Sequence, residues 1–264
     1  MATTDTIQTA TSKDGTKLAV DVSGSGPAIV LVSGGSVDRG SNAGLAAALQ
    51  SDFTVYNYDR RGRGDSGDTL PYAVEREIED IAAVIALAGG KAHLYGSSSG
   101  AGLALEAAAA GAPVDRLVMW EPPYNVDPAG RPPADSVEQL DRMVADGRPG
   151  DAAEFFMTQM VRLPAEFAAF AKTQPWWAAQ EAIAHTLAYD ARVMGDYSVP
   201  TVTAARVTVP TIILTGGSSF ALFKPTAEAL VAAMPDARTA VLDGQEHNVD
   251  PTVLGPVMAA FLQG

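Results

Sequence analysis

The chain of 264 residues carries 18 Lys and Arg against 31 Asp and Glu, a net charge of −13, and it has three His and no Cys. The absence of Cys excludes disulfide frameworks, thiol nucleophiles and Cys-ligated metal sites, and it is compatible with a cytoplasmic location, which we predict. The excess of carboxylates argues against nucleic acid or an anionic membrane as the main partner, because both are bound through clustered Lys and Arg. The N-terminus has no basic segment followed by an apolar run, so we predict no secretory signal.

Short β-branched runs bounded by Gly, Pro and Asp alternate with helix-like segments along the chain. Runs such as AIVLV and TIILT are apolar at consecutive positions, which is typical of parallel strands covered on both faces. The pattern predicts an α/β fold with a three-layer, mostly parallel sheet. The predicted strands are 17–22, 28–33, 53–58, 92–95, 116–120, 211–215 and 239–242. The predicted helices among them are 42–50, 74–88, 99–110, 225–234 and 252–262.

Residues 122–205 depart from this alternation and contain no convincing strand, although they hold half of the aromatic residues of the chain. Helical periods predict helices over 136–146, 151–162, 165–173 and 176–189. We interpret the segment as a helical lid inserted into a core made of 1–121 and 206–264. We expect Trp176, Trp177 and His185 to contact substrate. In the alternative interpretation, the aromatic residues of this segment pack only against each other.

The strongest chemical signal is Gly96-Ser97-Ser98-Ser99-Gly100, a G-x-S-x-G motif between a predicted strand and a predicted helix. In that context the glycines permit a sharp turn that exposes the central serine at the end of the sheet. Only Ser98 has Gly two positions before and two positions after it. Its hydroxyl lies at a helix N-terminus, where N–H groups and the helix dipole favour a developing oxyanion.

Together with this motif, Asp59-Arg60-Arg61-Gly62-Arg63-Gly64-Asp65-Ser66 resembles the D-x-R-G-x-G-x-S loop of the α/β-hydrolase family, and the resemblance covers nearly the whole chain. In that family Ser33-Gly34-Gly35-Ser36 corresponds to a His-Gly-x loop, with Ser33 in place of the usual His. The resemblance implies that the backbone N–H groups of Gly35 and Ser99 form an oxyanion hole.

Gly62, Gly64 and Gly67 also spell G-x-G-x-x-G, the pattern of dinucleotide-binding turns. A dinucleotide site requires a helix to begin at the last glycine, whereas Asp-Thr-Leu-Pro follows Gly67. We therefore predict no nucleotide cofactor, and we predict no metal, because no metal-binding motif occurs.

A serine nucleophile needs a base, and three histidines are available. His93 falls inside a predicted strand and His185 inside the lid. His247 follows the last strand and precedes the final helix, which is where α/β-hydrolases place their catalytic His. We assign His247 as the base.

The acidic partner is the weakest part of the resemblance, because the usual position after TIILT is occupied by Gly-Gly-Ser-Ser. Glu121, at the end of the strand LVMW, is the best substitute, and some haloalkane dehalogenases of the family similarly place their acid after that strand. Asp250 and Asp243 are alternatives, as is a Ser–His dyad without an acid.

These residues predict a cofactor-free serine hydrolase that cleaves a carboxylic ester, thioester or lactone with an apolar portion, through an acyl-enzyme on Ser98. The expected partner is a small-molecule substrate. There are two competing hypotheses. The first is a non-catalytic binding protein of the same family, and the second is a lyase, cyclase or acyltransferase that uses the same pocket.

Overall fold

A computed structural model describes residues 6–264, so the first five residues, where we predicted no secretory signal, lie outside the described part. Its strands are β1 Thr6–Thr11, β2 Lys17–Gly24, β3 Ala28–Val32, β4 Thr54–Tyr58, β5 Ala92–Ser97, β6 Val114–Trp120, β7 Thr211–Gly216 and β8 Ala237–Leu242. These eight strands form one sheet in the order β1-β2-β4-β3-β5-β6-β7-β8, in which β2 runs antiparallel to β1 and β4 and the strands from β3 to β8 are parallel. This arrangement confirms the predicted fold class.

Five helices alternate with the strands of the sheet. They are α1 Ala43–Leu49, α2 Val74–Leu87, α3 Ser99–Ala109, α10 Phe223–Ala233 and α11 Pro251–Leu262. The predicted positions agree with these bounds to within two residues at each end, because each helix is flanked by the Gly, Pro or Asp residues that favour turns.

The apolar strands face two separate cores, which explains their continuous hydrophobic sequences. In β3, Val30 and Val32 pack on one side with α2 and α3, whereas Ile29 and Leu31 pack on the other side with α1 and α11. Alternate residues of a strand point to opposite faces, so a strand covered on both faces must be apolar at every position.

Strand β1 was not predicted, because its sequence TIQTAT is largely polar. It lies at the edge of the sheet and pairs with β2 from Thr6↔Val22 to Thr11↔Lys17. Ile7 is mostly exposed and Ala10 is buried, so one face of the strand provides little hydrophobic signal. Backbone pairing, which is not visible in the sequence, defines this strand.

All regular elements that the structure describes between β6 and β7 are helical. These are α4 Ser136–Ala145, α5 Pro149–Phe155, α6 Ala165–Ala171, α7 Trp177–Ala182, α8 Leu187–Met194 and α9 Thr201–Ala204. We refer to residues 122–205 as the helical insertion.

Two predicted helices of the insertion are interrupted. Helix α5 continues as a π-helical turn, Phe156–Met160, instead of a regular helix through residue 162. The helix predicted over 176–189 is divided at Ile183, whose carbonyl accepts a hydrogen bond of 2.8 Å from the Thr186 hydroxyl. Such local bonds compete with the helical ladder and end α7 there.

No helix of the described residues is long and apolar enough to cross a membrane.

Candidate active site

Ser98 occupies a strained turn between β5 and α3, with φ 53° and ψ −126°. The glycines of the motif allow this turn because the backbone closes tightly around them. A Cβ at Gly96 would lie 2.6 Å from the Ala101 Cα, and one at Gly100 would lie 2.6 Å from the Val32 carbonyl oxygen. The motif therefore has the strand–turn–helix context that exposes a serine at the end of a sheet.

Backbone strain in the described residues is concentrated around Ser98. Five non-glycine residues have positive φ: Ser36, Ser98, Glu121, Arg162 and Tyr197. Four of them line one cavity, and Glu121 is hydrogen-bonded to a histidine that lines the same cavity. Such conformations cost about 1–3 kcal/mol each and accumulate where function requires them.

The Glu121 side chain is completely buried and accepts three hydrogen bonds. Its Oε1 accepts from the Gly216 N–H at 2.7 Å, and its Oε2 from the Ser219 hydroxyl at 2.8 Å. The same Oε2 lies 2.6 Å from Nδ1 of His247. A carboxylate held in this way fixes the imidazole ring and favours the proton on Nδ1, which leaves Nε2 as a base.

Ser98 and His247 both line the two cavities at this edge of the sheet, so the predicted nucleophile and base share one space. Asp250 instead caps α11, where it accepts bonds from the Thr252 N–H at 2.8 Å and the Thr252 hydroxyl at 2.7 Å. Asp243 follows β8 and is exposed. Among the described residues, Glu121 is thus the carboxylate that contacts His247.

Trp120 connects the parts of this site and was not identified from the sequence. Its carbonyl accepts the Ser98 N–H at 2.8 Å, and its indole N–H donates to the His247 carbonyl at 2.9 Å. Phe223 stacks on the His247 ring, with centroids 5.1 Å apart and planes 4° apart. The position of Trp120 next to the predicted acid is a weak sequence signal for its role in the site. The sequence contains no such signal for Phe223, which lies 24 positions before His247 in the chain.

The remaining two histidines lie elsewhere. His93 is buried in β5, where its ring meets Phe53 edge-on at 6.0 Å. Burial lowers the pKa of His93 below the ordinary value of 6.5, which favours the neutral form of this histidine. His185 belongs to the helical insertion, and its Nε2 lies 3.7 Å from the Asp68 carboxylate.

The two residues expected to form the oxyanion hole flank Ser98. Gly35 and Ser99 both line the larger cavity. The Ser99 N–H belongs to the first turn of α3, where N–H groups have no acceptor within the helix. Gly34 lies so close to the nucleophile that a Cβ on it would come within 3.1 Å of the Ser98 Cβ. The loop 33–36 and the start of α3 thus enclose the Ser98 side chain.

A buried ionic cluster lies directly behind this loop. Asp190 of α8 accepts from Nη1 of Arg60 at 2.7 Å, from Nη2 of Arg63 at 2.7 Å and from the Ser99 hydroxyl at 2.8 Å. Arg60 also forms two bonds of 2.7 Å with Glu77. Burial raises the pKa of Asp190, but Arg63 and Arg60 lower it by more, so its pKa lies below the ordinary value. The D-x-R-G-x-G loop supplies both arginines.

Two cavities meet at Ser98 and His247. The larger, of about 520 Å³, lies between the sheet edge and the helical insertion. Its apolar wall includes Phe156, Met157, Met160, Phe167, Trp176 and Phe220. The smaller, of about 420 Å³, lies beside α1 and α11, and its lining combines the apolar Leu45, Val249 and Leu254 with the polar Ser41, Asn42 and Asn248. Neither wall has the cationic cluster that a highly charged substrate would require.

The alpha/beta hydrolase family model matches residues 29–253, from β3 into α11. The chain belongs to the alpha/beta hydrolase family. The G-x-S-x-G turn at Ser98, the loop 59–66 and the position of His247 before the last helix are the features by which the sequence resembled this family.

Three known proteins show how far this likeness extends. An alpha/beta hydrolase from Sphaerobacter thermophilus is 50% identical, with a TM-score of 0.91 over 97% of this chain and all of the other. N-formylmaleamate deformylase from Pseudomonas putida is 40% identical over 106 residues, 39% of this chain and 40% of that protein. An esterase from a Rhodococcus species is 22% identical, with a TM-score of 0.68 and 98% of both chains covered, and it shares the fold.

The three residues expected to contact substrate in this alpha/beta hydrolase have different surroundings. Trp176 lines the larger cavity. Trp177 is buried in the core and packs near Gly150, and His185 lies against Tyr189 and Asp68. Neither Trp177 nor His185 lines either of the two cavities at Ser98, and their expected contact with substrate stays a prediction. Trp176 immediately precedes α7 and Trp177 is its first residue. Successive residues of a helical turn project about 100° apart, so the two side chains point in different directions and Trp176 is the one that reaches the cavity.

Proposed function

We propose that this protein is a serine hydrolase that cleaves a carboxylic ester, thioester or lactone through an acyl-enzyme on Ser98. One observation carries the proposal: the strained Ser98 shares its cavity with His247, and His247 is hydrogen-bonded to the buried carboxylate of Glu121. A hydroxyl needs such a base to become a nucleophile near neutral pH.

The steps follow from the placement of each group. Nε2 of His247 takes the proton of Ser98 as the serine oxygen attacks the carbonyl carbon. The N–H groups of Gly35 and Ser99 stabilise the negative charge on the carbonyl oxygen, and Glu121 stabilises the imidazolium. His247 then protonates the leaving group and afterwards activates a water that hydrolyses the acyl-enzyme.

The cavities support an apolar acyl portion in the larger one and a smaller leaving group in the other. The larger cavity has the volume of ordinary small-molecule sites and a mostly apolar and aromatic wall. In the smaller cavity, Asn42 is buried and its Nδ2 has no hydrogen-bond partner among the described residues. An oxygen atom of a leaving alcohol would provide an acceptor for such a group.

An N-formyl amide is the second candidate substrate, because the deformylase from Pseudomonas putida matches part of the chain at 40% identity. A maleamate carries a carboxylate, which a cationic side chain would have to bind. The cationic side chain in the wall of the larger cavity is that of Arg162. Its guanidinium already donates to the carbonyls of Ala129 at 3.2 Å and Arg131 at 2.9 Å. The cavity therefore favours a neutral ester over an anionic amide.

A fluorophosphonate probe followed by peptide mapping tests this function. The wild-type protein should be labelled on Ser98, the variant Ser98→Ala should not be labelled, and Ser97→Ala should still be labelled. Absence of labelling in folded wild-type protein would refute the hydrolase mechanism and favour a binding protein. Turnover of the true substrate by Ser98→Ala would favour a lyase or cyclase.

A substrate panel tests the class of bond. It should contain p-nitrophenyl esters with acyl chains from acetyl to decanoyl, lactones, thioesters and N-formyl amides with and without a carboxylate. We expect kcat/KM to rise with acyl length until the cavity is filled. Faster turnover of the anionic formyl amide than of every ester would replace the ester proposal with the deformylase alternative.

A further inference from the structure

Asp190 links the helical insertion to both residues of the proposed oxyanion hole. We propose that Asp190 is a positioning residue for the reaction, which holds the Gly35 N–H through Arg63 and the start of α3 through the Ser99 side chain. The inference rests on the proposed function, because it concerns how the oxyanion hole is kept in place.

The first connection passes through Arg63. Its Nη2 donates to Asp190 at 2.7 Å, while its Nη1 donates to the Gly34 carbonyl at 2.6 Å. The Gly34 carbonyl and the Gly35 N–H belong to one planar trans peptide, so they point in opposite directions. Because Arg63 binds the carbonyl, the Gly35 N–H is turned away from Arg63. Asp190 fixes the guanidinium that sets this orientation.

The second connection is direct. The Ser99 hydroxyl donates to Oδ1 of Asp190 at 2.8 Å, and Ser99 is the first residue of α3. Oδ2 lies close to the other side of the hole, since a Cβ built on Gly35 would be 3.1 Å from it. One carboxylate thus contacts both backbone segments that flank Ser98.

The charges of this cluster balance only when Asp190 is ionised. Arg60, Arg63, Glu77 and Asp190 have side chains that are at most 1% exposed, and they carry two positive and two negative charges. Besides Asp190, Arg63 contacts only neutral acceptors in the described part of the chain: the Gly34 and Val37 carbonyls and the Thr186 hydroxyl. Loss of the Asp190 charge leaves Arg63 buried without a counter-ion. The guanidinium then shifts, and its hydrogen bond to the Gly34 carbonyl changes with it.

This arrangement makes α8 of the insertion part of the oxyanion hole. The acidic group comes from the insertion, whereas the N–H donors come from the core. Undocking of α8 would therefore disassemble the hole, so the insertion has a role besides enclosing the apolar cavity.

The same loop provides a matched control. Arg61, next to Arg60, forms two bonds of 2.7 Å with Asp80 of α2, and both side chains are buried. This pair does not contact residues 33–36 or Ser99. Asp190→Asn and Asp80→Asn each remove one buried carboxylate charge that pairs with an arginine of this loop. Only the Asp190 cluster contacts the proposed oxyanion hole.

Steady-state kinetics on a hydrolysed ester compare the two variants. After correction for the folded fraction, we expect Asp190→Asn to lower kcat by about 10–100-fold, with KM within about threefold, because a displaced donor weakens binding of the transition state more than of the substrate. Asp80→Asn should lower the unfolding midpoint but leave kcat within about twofold. An equal effect of both variants on kcat would overturn the proposal and leave the hydrolase function intact.

Two further measurements keep the proposal testable if Asp190→Asn does not fold or if no ester is hydrolysed. Arg63→Lys keeps the buried charge but loses the planar fork that binds Asp190 and Gly34 together, and it should lower kcat by about tenfold. The crystal structure of Arg63→Lys should show a rotated Gly34–Gly35 peptide. An unchanged peptide would refute the positioning role irrespective of activity, whereas absence of Ser98 labelling would refute the proposed function itself.

Discussion

Replacement of Glu121 by Gln isolates the contribution of the buried acid. Gln has nearly the same shape, so its carbonyl oxygen can still accept the Gly216 N–H, and its amide nitrogen takes the place of Oε2. The Ser219 hydroxyl can rotate to accept from this nitrogen. Two of the three hydrogen bonds are therefore preserved, and we expect the unfolding free energy to fall by only about 1 kcal/mol.

The third bond changes its direction. An amide N–H facing Nδ1 of His247 forces that nitrogen to accept, so the proton moves to Nε2, and His247 cannot take the proton of Ser98. The loss of the carboxylate also removes stabilisation of the imidazolium. The corresponding change in a Ser-His-Asp triad lowers kcat by about 10⁴-fold, and we expect about 10³–10⁴-fold here, or about 4–5.5 kcal/mol.

Ester turnover and thermal unfolding of the purified variants provide the measurements. Asp250→Asn is the control, because Asp250 is the competing carboxylate and Asn also caps helices well. We expect its kcat and stability to equal those of the wild type. Retention of activity by Glu121→Gln within about threefold would refute the assignment of Glu121, and a large loss in Asp250→Asn would transfer the role to Asp250.

Two other predictions concern stability. Gly100→Ala places a methyl group 2.6 Å from the Val32 carbonyl oxygen, so chemical denaturation should show a loss of about 3 kcal/mol in unfolding free energy. The control Gly67→Ala should be tolerated, because its Cβ would meet no atom closer than the Lys17 carbonyl oxygen at 3.6 Å. Equal stability of the two variants would refute the close packing at the turn. Because the folded-state pKa of His93 lies below 6.5, only the unfolded chain takes up this proton as the pH falls below about 6.5, and stability is lost there. The difference in unfolding free energy between the wild type and His93→Gln should then change in favour of the variant between about pH 7.5 and pH 5.5, and a constant difference would show that His93 titrates normally.

Much of the site could be predicted from local sequence because its constraints are local. Gly96 and Gly100 are required by a turn within five residues, and that turn indicates Ser98. The position of His247 before the last helix likewise follows from chain order within the family. Both assignments remain predictions of role, while the structure places both residues in one cavity.

The acid and its supports depend on residues far apart in the chain. Glu121 and His247 are 126 positions apart, and sequence left Glu121 in competition with Asp250, which is only three positions from His247. The sequence favoured Glu121 because of its place at a strand end, and in the structure Asp250 caps its own helix instead of contacting His247. The sheet register brings the end of β6 beside β7, and this places Glu121 under His247.

The sequence by itself determined the α/β fold, because buried parallel strands require continuous apolar runs, and it determined the turn at Ser98, because only glycine fits beside it. Its charge of −13 predicts that nucleic acid is not the main partner, but it did not indicate which carboxylates are buried. Tertiary structure alone decided that Glu121 faces His247, that Trp176 rather than Trp177 lines the cavity, and that Asp190 neutralises two arginines behind Gly35. The physical reason is that burial and pairing of charges depend on contacts between distant segments, which residue patterns do not record.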